Sequence, residues 1–143
     1  MEDPMSKVLD GLVEALWNTM GEGSTAIWRQ VGEKFYETMK EGGRDLSTPE
    51  ASLESVKEYF QKYDCLGDMS YEIEEGEEAV VKIEGCAYMK TVEYMEANNI
   101  PEEHSCPYFN ASMVALEHAT GNMYDWTRDK DAPGKCHAHI VKI

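Results

Sequence analysis

The chain has no CxxC pair, no HExxH, no GxGxxG, no GxSxG and no P-loop. The compact zinc knuckle, the zincin protease, the dinucleotide-binding turn and the nucleophile elbow therefore have no sequence support. Bases are also scarce, with 13 Lys and Arg against 28 Asp and Glu and a net charge of −15. Such a surface repels phosphates and anionic headgroups, which argues against a nucleic-acid or membrane-surface role. No run approaches the ~20 apolar residues of a membrane span. The start, "MEDPMSKVLDG", lacks the basic flank and apolar stretch of a secretory signal, so a cytoplasmic location is expected. In a reducing compartment the four cysteines are thiols or metal ligands rather than disulfides. Cys65, Cys86, Cys106 and Cys136 stand 20 or more residues apart, so any site joining them must be assembled by the fold.

What the sequence does have is clear periodicity over 143 residues, enough for a single domain covering 1–143. Val8, Leu9, Leu12, Val13, Leu16, Trp17 and Met20 recur at helical steps over residues 6–20. "GEG" ends that helix, and Ser24 is the expected N-cap of a second one carrying Ile27, Trp28, Val31, Phe35 and Met39. "STPE" opens a third helix, which buries Leu53, Val56, Tyr59 and Phe60. The period then falls to two: Met69, Tyr71 and Ile73, a turn at "EEGEE", then Val81 and Ile83, which reads as a β-hairpin. A fourth helix runs through Tyr88, Val92 and Met95, and a fifth through Phe109, Met113 and Leu116. Strands at Met123–Thr127 and Lys135–Ile143 close the chain. The expected class is α+β: three helices, a hairpin, two helices and two strands, with an antiparallel sheet packed on the helices.

Cys106 is the foremost thiol. With Ser105 as N-cap and Pro107 in the first turn, it falls at a helix N-terminus, where backbone N–H groups favour a thiolate. Cys86 follows a strand and Gly85, which allows a sharp turn before the fourth helix. Both also read as small buried hydrophobes, and Cys65 reads as structural. In "GKCHAHI", strand alternation puts Cys136, Ala138 and Ile140 on one face and His137, His139 and Val141 on the other. Cys136 and His139 cannot then share one metal without a bulge. Either Cys136 joins distant cysteines, or the His137/His139 pair acts alone. His118 reads as solvated or locally bonded. The sequon at Asn110 falls inside a helix and is discounted.

The stretch from "GCAYMKTVEYME" through "CPYFNASMVALEHATGN" to "GKCHAHI", with the paired helices of "NTMGEGSTAIWRQVGEKFYETM", resembles the 4-vinyl-reductase domain family. That resemblance implies a fold related to the TRAPP trafficking subunits, dimerisation through the helices, and binding of a small hydrophobic ligand or a metal. Cys106 matches the family's helix-opening cysteine and Cys136 the cysteine of its last strand. "TRDKDAPGKC" lacks a further cysteine found there in family members, so Cys86, His104 or a terminal histidine would have to replace it. The spacing of Cys86, Cys106 and Cys136 is also similar to that of the L-2-amino-thiazoline-4-carboxylic acid hydrolase family, although Asn110 stands where an acidic partner is looked for.

Two functions follow. One is a binding domain with Cys86, Cys106, Cys136 and His104 as metal ligands, zinc being the expected ion, and Tyr88, Phe109 and Met113 lining an apolar pocket. The other is a small hydrolase, with Cys106 as nucleophile or metal ligand and His104 or His139 as base. A fold whose cysteines merely pack is the third possibility. A homodimer is expected in either functional case.

Overall fold

The computed structural model describes residues 4–74, 78–101, 105–132 and 135–143. Helices α1 (Pro4–Met20), α2 (Ser24–Glu41) and α3 (Pro49–Lys62) come first, with a 3₁₀ turn at Gly21–Gly23 joining α1 to α2. Strands β1 (Asp68–Ile73) and β2 (Ala79–Glu84) follow, then α4 (Met89–Ala97) and α5 (Pro107–Thr120), and finally β3 (Tyr124–Ala132) and β4 (Lys135–Lys142). The four strands form one sheet in the order β1-β2-β4-β3, with every neighbouring pair antiparallel. The α+β class and its order of elements are those expected from the periodicity.

Three local expectations are corrected. The 3₁₀ turn runs directly into α2, so Gly23 holds the N-cap position and no side chain caps the helix. Ser24 is already inside it. Helix α5 starts one residue later than expected, which makes Cys106 rather than Ser105 its N-cap. Strand β3 continues past Thr127 through Arg128, Asp129 and Lys130, because β4 supplies backbone partners along that whole stretch. At α3 the expected signal holds: the Ala51 N–H donates to Thr48 Oγ1 at 3.1 Å, and Pro49 occupies the first helical position. Residues 75–77 of the expected "EEGEE" turn lie outside the described residues.

Helix α5 is the middle layer. Residues 108–116 are all buried, the all-round apolar character of a helix enclosed by others and by a sheet. It lies against α2, α3 and β3. Close approach of α2 depends on Gly32, where an added Cβ would stand 2.5 Å from the Asn110 carbonyl oxygen. Arg29 of α2 then bridges to Glu117 Oε1 at 2.5 Å and donates to the Tyr124 carbonyl at 3.0 Å. Glu117 Oε2 accepts from the Tyr124 N–H at 2.9 Å, so one half-buried ion pair fastens α2, α5 and β3. The sheet's inner face carries Met69, Ala79, Val81, Ile83, Tyr124, Trp126, Cys136, Ala138 and Ile140, all buried. Its outer face carries Lys82, Glu84, Thr127, Asp129 and His139, all exposed, and half-buried His137.

Candidate functional site

Three chain segments bring thiols together at one end of the core. β2 ends at Glu84, and Gly85, with a φ of +67°, turns the chain so that Cys86 faces inward. That turn lies close against Gly67, whose N–H donates to the Glu84 carbonyl at 2.9 Å. The Cys86 sulfur accepts from the Tyr88 N–H at 3.2 Å. Cys106 caps α5 with its own sulfur, which accepts from the Phe109 N–H at 3.5 Å. Cys136 comes from β4, opposite Ile83 in the register. Cys106 and Cys136 are buried, and Cys86 is half-buried.

Burial pushes the Cys86 thiol up from an ordinary 9.0 to about 12, and neighbouring Cys106 and Cys136 add to that rise. The Cys106 thiol is also raised, chiefly by burial, with the Arg128 guanidinium and the Phe109 and Tyr108 N–H groups offsetting part of it. The sequence-based expectation of a thiolate at this helix start is therefore corrected. A helix N-terminus contributes about 0.3–1 kcal/mol, whereas full desolvation can move a pKa by roughly 3–5 units. Desolvation wins, and Cys106 rests as a thiol.

Arg128 was not anticipated from the sequence. It follows Tyr124 and Trp126 on the inward-facing positions of β3, an alternation that could have flagged it. Its Nη2 donates to the Ser105 carbonyl at 2.6 Å, and its guanidinium lies 5.9 Å from the Phe109 ring centre and 5.7 Å from that of Trp126. A half-buried cation thus stands next to Cys106. Tyr108 sits over the thiols with its hydroxyl donating to the Cys65 carbonyl at 3.0 Å, and burial raises that phenol strongly. Burial likewise raises Tyr88, whose hydroxyl is close to Ser105 but makes no hydrogen bond of normal geometry among the described residues.

Beside these thiols runs a groove of about 440 Å³, lined by Leu12, Leu16, Ile27, Val31, Tyr88 and Tyr108 among others. Cys65 is the cysteine in its wall, and Cys86, Cys106 and Cys136, expected to line a pocket, do not line it. A second cavity of about 530 Å³ lies beside it, between Trp17, Trp28, Met95, Ile100 and Ser105. Of the three residues expected to line a pocket, Tyr88 lies in the wall of the groove. Phe109 and Met113 are almost wholly enclosed and line neither cavity. Phe109 packs on Trp126, and the Met113 sulfur faces Arg29.

Asn110 is a structural residue. Its Nδ2 donates to the Cys106 carbonyl at 2.8 Å and its Oδ1 accepts from Trp126 Nε1 at 3.3 Å. His118 stacks on Tyr36 and pairs with Glu33 on the surface. Strand alternation in β4 is as expected, with Cys136 buried and His137 and His139 on the opposite face. His139 therefore cannot serve Cys106 as a base. His104 lies outside the described residues. Cys65 turns its sulfur onto the Tyr63 carbonyl at 3.7 Å and lies in the wall of the groove.

These features define an α+β domain with a thiol cluster and an arginine beside an apolar groove. Residues 5–143 match a family model described as "Putative rubredoxin C-terminal domain", and the chain belongs to that family. This match gives no support to the expected 4-vinyl-reductase membership. A "Putative rubredoxin" of Methanothermobacter thermautotrophicus (strain Delta H) is 23% identical over 141 residues, spanning 99% of this chain and 71% of that relative.

Proposed function

We propose that this domain binds a small, largely apolar molecule in the groove between α1, α2 and the start of α5, with Cys86, Cys106, Cys136 and Arg128 behind its inner wall. The observation that carries this reading is the groove itself, about 440 Å³ and walled by Tyr88 and Tyr108 directly over the thiols. That volume falls in the range of small-molecule pockets, roughly 300–1,000 Å³. A homodimer through α1 belongs to the same reading, since Met5 and Val8 are exposed along that helix beyond the groove.

The rubredoxin in the names of the family and the relative favours a metal, typically iron, as the bound species. Those names carry no support for zinc. The thiols as placed do not fit such a centre. Metal–sulfur distances near 2.3 Å bring thiolates within about 4 Å of one another. Among the described residues, only Asp129, His137 and His139 hold three potential ligand atoms within 4.8 Å of one another, and none of them is a cysteine. The hydrolase alternative keeps Cys106 as its nucleophile, but the three described histidines all lie elsewhere.

Titration with the neutral apolar dye Nile red tests the groove. Saturable one-to-one binding is expected, weakened about tenfold or more by Ile27→Asp or Val31→Asp, which corresponds to ~1.4 kcal/mol. Binding that ignores both substitutions, or no saturable binding, would overturn the reading. Stoichiometric iron lost on Cys106→Ser and Cys136→Ser would instead establish the thiol metal centre.

A further inference from the structure

The open face of the sheet carries a second cluster of chemistry. Asp129 of β3 lies directly opposite His137 of β4, and His139, two residues further on, shares that face. His137 Nε2 stands 3.4 Å from Asp129 Oδ2, and the two imidazole rings are 5.2 Å apart, edge to face. One ligand atom from each of the three residues comes within 4.8 Å of the other two. We propose that Asp129, His137 and His139 bind one divalent transition-metal ion on the outer face of the sheet.

The scaffold is suited to this. β4 is an interior strand, hydrogen-bonded to β2 on one side and β3 on the other, so its i, i+2 histidine pair is held by two ladders. The carboxylate arrives from the adjoining strand in fixed register. Little chain entropy remains to be lost on binding, because the backbone is already ordered. Metal–nitrogen and metal–oxygen bonds of about 2.0–2.2 Å need donor atoms roughly 3–3.5 Å apart, so rotation of the exposed Asp129 and His139 side chains towards half-buried His137 closes the remaining gap. Two imidazoles and one carboxylate select nickel, copper, zinc, cobalt or ferrous iron over calcium or magnesium, which prefer all-oxygen sites. Three protein donors leave positions open to solvent, where water or a further ligand completes the shell. The chain's charge of −15 draws cations towards it. Lys82 lies opposite His137 on β2 and opposes the ion, but its side chain is exposed and can turn away. This site is on the far side of the sheet from the thiols and does not depend on the groove.

The test uses the full chain without a histidine tag, stripped with chelator and titrated with cobalt(II) and nickel(II). One equivalent should bind, and the cobalt form should show d–d bands without a thiolate charge-transfer band. Asp129→Asn, His137→Ala and His139→Ala should each weaken binding at least tenfold, since loss of even an outer-shell partner costs roughly 10–100-fold. The double variant H137A/H139A should not bind. His118→Ala, on the surface of α5, should bind as the parent does. Absence of saturable binding, binding that survives H137A/H139A, or a thiolate–cobalt band would each overturn the proposal. If a histidine variant does not fold, as judged by circular dichroism, the cobalt spectrum of the unaltered chain still decides between nitrogen–oxygen and sulfur ligation.

Discussion

Cys106 does two jobs at once, as an N-cap and as a core side chain, and the two respond differently to substitution. Its sulfur receives the Phe109 N–H while only 2% of the residue is exposed. Cys106→Ala removes the acceptor and leaves a buried donor unpaired, so a loss of about 1–2 kcal/mol is expected in urea denaturation. Cys106→Ser keeps an acceptor at the cap and should lose less than half as much. Accessibility orders the thiols as well. Cys65 and Cys86 are half-buried, whereas Cys106 and Cys136 are enclosed. Maleimide at neutral pH should label Cys65 most readily on the folded protein and Cys86 more slowly, because burial holds its thiol pKa up at about 12. Cys106 and Cys136 should be labelled only after denaturation, as read by peptide mass mapping. Prompt labelling of Cys106 would contradict the burial that holds it as a thiol.

Between elements, the contact of α2 with α5 is the one that an added methyl at a glycine would disturb most among the described residues. A methyl at position 32 would have to displace the α5 backbone at Asn110, whose side chain anchors both the Cys106 carbonyl and Trp126. Gly32→Ala should therefore cost about 2–3 kcal/mol, the overpacking penalty of a close-packed interior. It should also raise maleimide labelling of Cys106, because α5 cannot shift without moving its own N-cap. The neighbouring Arg29–Glu117 pair makes a complementary test. Glu117→Gln leaves Arg29 with a weaker acceptor beside the Tyr124 backbone, and a loss of about 1–3 kcal/mol is expected on thermal or urea unfolding.

For the whole molecule, the buried thiols and phenols set the response to alkaline pH. Cys86 moves from 9.0 in an exposed setting to about 12 when folded, and Cys106, Tyr88 and Tyr108 are raised in the same direction. Above pH ~9 the unfolded chain has released protons that the folded chain retains, so the slope of unfolding free energy with pH is negative. Stability is full below about 9 and declines as pH rises towards 12. Urea midpoints measured across that range should fall, and fall less steeply in Cys86→Ser. The uncovered apolar face of α1 belongs to this scale too. Val8→Glu should shift the chain from dimer to monomer in sedimentation equilibrium if that face pairs two copies.

Local information was sufficient for much of this. Helical and strand periods marked the elements because α2, α3 and the strands each bury one face, and Thr48–Pro49 and Gly85 act within their own turns. Alternation in "GKCHAHI" alone separated Cys136 from the two histidines. Tertiary structure decided what depends on distant neighbours. The strand character of Arg128–Lys130 comes from hydrogen bonds to β4, and the position of Arg128 beside Cys106 from the docking of β3 on α5. The protonated state of Cys106 likewise reflects the layers that enclose it, since desolvation is a property of the assembled core. The joining of Asp129 to His137 and His139 is a matter of strand register, which no spacing along the chain contains.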